Sequence, residues 1–172
     1  VTGFSGSSLE MVLLFGLQVF FGNIYLLTSF VFTGFMAGLA FGAFLGKNLS
    51  WENETLRILL CMAVLAFLSG LLLQSDGAMN LPEVLVYSLY LIAVVLLGSL
   101  TGLQFTQVSR KQAGGYSEIS GKTYGYDLAG SALGALVVTI FLVPFFGIIQ
   151  ATWVIAGINL LFASWIFLKT RV

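Results

Sequence analysis

The chain has 172 residues, of which 59% are hydrophobic and only 8% charged, with seven basic and seven acidic side chains and no histidine. So few charges cannot cover the surface of a soluble domain, and a net charge of zero without a basic patch argues against nucleic acid as a partner. The missing histidine removes bis-histidine haem, histidine-ligated zinc, a Ser-His-Asp triad and imidazole proton relays, and the single Cys61 forms no internal disulfide or iron–sulfur cluster. No cofactor and no catalytic group is expected.

A bilayer core of about 30 Å takes about 20 apolar residues in a helix. In chain order this predicts six spans, at about 8–22, 25–46, 54–74, 82–108, 123–144 and 148–168, forming a single all-α integral membrane domain. The chain begins with Val1 rather than methionine, which leaves processing or a longer polypeptide open, and its opening residues lack the basic n-region of a signal peptide. Ser7 and Glu10 have the spacing of a capping box at the start of span one. Span two contains Gly34, Gly38, Gly42 and Gly46, one glycine every fourth residue. In lipid, helices gain little by hiding apolar side chains from one another, and small residues at this spacing give a strip along which backbones approach closely. Gly98 and Gly102 make a shorter strip in span four, and Gly130 and Gly134 another in span five. Pro82 and Glu83 suit the first turn of span four, and Pro144 is expected to end span five.

The alternation of spans puts Lys47, Arg57, Arg110, Lys111, Lys122, Lys169 and Arg171 on one side and Asp76 and Glu83 on the other. This asymmetry predicts both termini in the cytoplasm, in a prokaryotic inner membrane. The polar loop 109–122 is a candidate docking surface for a cytoplasmic partner or for lipid headgroups. Residues 36–44 and 128–136 share the pattern apolar-Ala-Gly-x-Ala-x-Gly-Ala-apolar. They lie in the middle members of two three-span groups that cross in opposite senses, as an inverted three-plus-three repeat resembling half of a major-facilitator-type transporter requires.

Polar residues at membrane depth are functional candidates. Glu10 and Gln18 lie eight residues apart on one face of span one, and Asp127 lies near the start of span five. Gln104 and Gln107 are near the end of span four, Asn159 is in the middle of span six, and Tyr124 and Tyr126 offer aromatic faces to a cation. Together they suggest a vestibule for an amine, set against plain roles in capping and in interhelical hydrogen bonding.

Two segments resemble the membrane region of the fused spermidine synthases. One carries Glu10, Gln18, Gly22, Tyr25 and the run Phe35 to Gly42, and the other Tyr124, Asp127, Gly130, Leu133, Gly134, Pro144 and Gly147. The resemblance implies a transporter-like fold and a link to polyamines. The family's aminopropyltransferase domain has no counterpart here, since only Lys169-Thr170-Arg171-Val172 follow span six, so enzymatic activity does not carry over. Three functions are therefore expected, in order. The first is a non-catalytic membrane subunit that packs against partner chains or a second six-span unit. The second is half of a secondary transporter for a small amine or metabolite. The third is the membrane part of a split aminopropyltransferase.

Overall fold

A computed structural model describes residues 2–22, 24–47, 54–74, 82–111 and 118–171, and the described residues are almost entirely helical. The helices are α1 (Thr2–Phe21), α2 (Ile24–Gly46), α3 (Glu54–Gln74), α4 (Glu83–Lys111), α5 (Glu118–Val137), α6 (Val143–Phe146) and α7 (Ile148–Arg171), with a π-helical segment, Val138–Leu142, joining α5 to α6. Five helical stretches are long and apolar enough to cross a membrane, and Gly3–Val19 of α1 is a shorter apolar helix. The molecule is a helical bundle of the kind membrane proteins form.

Helix boundaries differ from expectation at three places, each for a local reason. α1 starts at Thr2, so Ser7 and Glu10 lie inside it and form no capping box at its start. Pro82 precedes α4 and caps it, its carbonyl accepting from the N–H groups of Leu85 (2.8 Å) and Val86 (3.2 Å). Pro144 does not end span five. It has no N–H to give the preceding turn, and the π segment just upstream absorbs the irregularity: the Val143 N–H reaches back five residues to the Val138 carbonyl. The helix stops at Gly147, whose φ of 85° suits glycine and whose N–H donates to the Val143 carbonyl at 2.9 Å. α1 likewise ends on Gly22, with φ 65° and its N–H on the Gln18 carbonyl at 3.0 Å.

The most extensive interface joins α2 and α4, followed by α3 with α7 and α1 with α5, and α1 also packs on α4 and α7. Contacts along each pair fix its direction. Gly38 sits on Val95 and Gly46 on Thr106, so α2 and α4 run parallel. Gly3 sits on Asp127 and Gly134 on Ser8, so α1 and α5 are parallel too. Gly6 faces Thr101 while Gly16 faces Tyr90, so α1 and α4 are antiparallel. Phe67 meets Trp153 edge-on while Leu56 and Leu60 share a groove with Leu161 and Phe167, so α3 and α7 are antiparallel. The helix ends that carry Lys47, Arg57, Arg110, Lys111, Lys122, Lys169 and Arg171 therefore lie at one end of the bundle, and Glu83 starts α4 at the other. Asp76 and residues 112–117 of the polar loop lie outside the described residues.

The apolar core centres on α1, with Leu9, Val12, Leu13 and Leu17 packed among Val94, Leu97, Val138 and Ile155.

Candidate functional site

The glycines form the tightest seam in the molecule. A Cβ at Gly38 would overlap the Val95 carbonyl oxygen, and one at Gly42 the Ser99 carbonyl oxygen. From the other side, a Cβ at Gly98 or Gly102 would overlap the carbonyl oxygens of Phe35 or Leu39. The two strips thus interlock backbone on backbone. Gly34 meets the Val95 side chain at ordinary contact distance, and Gly46 meets Thr106, whose hydroxyl donates to Gly102 at 3.0 Å and lies 3.4 Å from the Ala43 carbonyl. On α5, Gly134 approaches the Phe4 carbonyl and Gly130 the Phe4 nitrogen.

Asp127 lies beside the first turn of α1, and its carboxyl accepts the Gly3 backbone N–H. It thus caps a helix other than its own, satisfying one of the orphan donors at the α1 start.

Glu10 is eight residues into α1, about 12 Å along the axis, and is almost fully buried. Its Oε1 has no hydrogen-bond partner among the described residues. Gln18 is half-buried near the far end of the same helix. Tyr126 points away from the bundle with 80% of its surface exposed, and exposed Tyr124 packs edge-on against Phe105 with ring centroids 6.1 Å apart. The structure therefore does not gather Glu10, Gln18, Asp127 and the two tyrosines around one cavity.

Other polar side chains are buried more deeply than Glu10. Ser5 and Ser8 on α1, Gln104 and Gln107 on α4, and Asn159 on α7 are each at least 96% buried. Each pair on one helix is three residues apart and shares a face. Gly6 against Thr101 sets the level: Ser5 adjoins Gly6, and Gln104 lies one turn beyond Thr101 toward the basic end. Thr101 itself donates to the Leu97 carbonyl at 2.9 Å. The Asn159 amide nitrogen donates to the Ile155 carbonyl at 2.9 Å, which leaves its oxygen free. Ser5 Oγ, Ser8 Oγ, Gln104 Oε1, both amide atoms of Gln107 and Asn159 Oδ1 have no partner among the described residues. Glu10 lies about 40° around α1 from Gly6, which faces Thr101, whereas Ser5 and Ser8 are turned about 100–160° from Gly6, and Ser8 lies against Gly134 of α5. Sequence reasoning did not single out Ser5, which lies before the predicted span one, or Ser8, its first residue, although their spacing matches that of Gln104 and Gln107.

Among the described residues no group of three or more Cys, Asp or Glu side chains is placed to hold a metal. The groove between α3 and α4, lined by Leu60, Cys61, Val64, Leu68, Ile92 and Leu96, is apolar apart from Ser69. Comparison with family models, curated proteins and solved structures finds no match to the chain.

Proposed function

We propose that the chain is a non-catalytic membrane unit, built as an inverted three-plus-three repeat, that pairs with a second six-span unit to form a carrier for a small amine or other metabolite. The observation that carries this reading is a shared register. Gly42 on the Ser99 carbonyl has a counterpart in Gly134 on the Phe4 carbonyl, and Gly98 on the Phe35 carbonyl has one in Gly3 on the Asp127 carbonyl. Gly42 and Gly134 are 92 positions apart, as are Phe35 and Asp127, and as are the matching runs 36–44 and 128–136. Phe4 and Ser99 are 95 apart, as are Gly3 and Gly98. Gly6 and Thr101 are 95 apart as well and touch each other, which suits a two-fold axis passing between them. Contacts between helix pairs and the sequence echo thus obey one rule, as a duplicated, inverted unit would.

Carriers of this build work by rocking one repeat or bundle against another, so six spans call for a companion. The basic ends of the helices are read as cytoplasmic, which places both chain termini there in a prokaryotic inner membrane. The resemblance to the membrane region of fused spermidine synthases supports an amine as cargo. Native mass spectrometry of the protein extracted from its own membrane in mild detergent tests the pairing. Particles with two six-span units, alike or different, are expected, and a lone six-span unit overturns it.

A further inference from the structure

We infer that the groove between the start of α3 and the later part of α7 is a binding site for one acyl chain of an anionic phospholipid, whose headgroup sits at the basic end of the bundle. The site goes beyond the carrier reading, because it needs only this chain and stands whether or not a second unit assembles.

The groove holds about 700 Å³ and is lined by Leu56 and Leu60 on α3 and by Gly157, Leu161, Ser164 and Phe167 on α7. Its one polar side chain, Ser164, donates its hydroxyl to the Leu161 carbonyl at 2.8 Å, so the lining suits hydrocarbon. Gly157 makes the deep end: a Cβ there would meet nothing within 4 Å, and beyond it the ring contact of Phe67 with Trp153 closes the seam. The rise along α7 from Gly157 to Phe167 is about 15 Å, half of a bilayer core of about 30 Å. That length fits a chain from one leaflet, whereas a partner helix crossing the whole membrane would run past the closed end. The open end lies where the positive charges are. Arg57, exposed, follows Leu56 in the first turn of α3. Arg171 comes four residues after Phe167 and continues the stripe of Gly157, Ser164 and Phe167 along α7, and exposed Lys169 lies in the same last turn. Glu54, the acid at the start of α3, is turned about 120–160° from Leu56 and Leu60 around the helix. A hydrocarbon slot with a cationic mouth is the complement of a phospholipid of net negative charge. Trp165, exposed near that mouth, is of the residue type that settles at headgroup level.

The test is thermal unfolding of the purified protein in mild detergent, with phosphatidylglycerol or phosphatidylcholine of the same acyl chains added at equal mole fraction. Phosphatidylglycerol should raise the midpoint saturably, by a few degrees more than phosphatidylcholine does. Gly157→Leu, which fills the deep end, should fold and lose that difference. The double variant Arg57→Gln/Arg171→Gln leaves the slot intact and should respond to the two lipids alike. Equal midpoints with the two lipids in the unaltered protein would mean that the groove takes hydrocarbon without regard to charge or is covered by another chain, and the inference fails. It fails equally if Gly157→Leu or the double variant keeps the phosphatidylglycerol excess, because the lipid then acts elsewhere on the basic end.

Discussion

The α2–α4 and α3–α7 interfaces join helices of similar length and composition by different means. In the first, four carbonyl oxygens sit where glycine Cβ atoms would otherwise be, and backbone meets backbone on both sides. In the second, Gly70 faces the Thr152 hydroxyl, Phe67 packs edge-on against Trp153 at 4.8 Å, and a groove lined by Leu56, Leu60, Leu161 and Phe167 remains toward the start of α3. The difference teaches that a glycine's position decides its worth. Gly98 on α4 is sealed against another backbone, whereas a Cβ at Gly157 on α7 would meet nothing.

The largest way to break this contrast is a leucine in the sealed seam. Gly98→Leu or Gly42→Leu should drive α2 from α4 at a cost above about 4 kcal/mol, seen as loss of monodisperse protein on size exclusion. Gly134→Val tests the related α1–α5 contact. With the Phe4 carbonyl and the Ser8 hydroxyl in the way, it should cost about 1–3 kcal/mol in denaturant unfolding. Asp127→Ala should cost about 1 kcal/mol by removing the cap of α1, and hydrogen exchange should show the Gly3 end opening first. The smallest effect belongs to the open side: Gly157→Leu should change stability by no more than about 0.5 kcal/mol, and a larger loss would show that an unseen neighbour covers that face.

Much of the bundle was legible because membrane helices obey two short rules, on apolar length and on small-residue spacing. The four-residue glycine period of α2 pointed to a strip, and the strip lies on α4. What it could not name was the partner, since the period is the same whichever helix supplies the opposing carbonyls. Local pattern also misled at Ser7 and Glu10, which satisfy a capping rule inside an uninterrupted helix. The α1 start is capped instead by Asp127, more than a hundred residues away, and no local rule finds that pairing. Pro144 predicted an end, and the chain bent the rule by widening the turn before it. Ser5 and Ser8 look like ordinary small residues until burial reveals that their hydroxyls have nowhere to go.

The widened turn at Val138–Leu142 has a geometrical consequence beyond tolerating Pro144. A π turn holds one more residue than an α turn, so each side chain after it is rotated by about 100° relative to an unbroken helix. α2 shows no such insertion over its 23 residues. α2 ends at Gly46, which the 92-position register matches to Val138, so Phe145 and Phe146, both exposed, have no counterpart in α2.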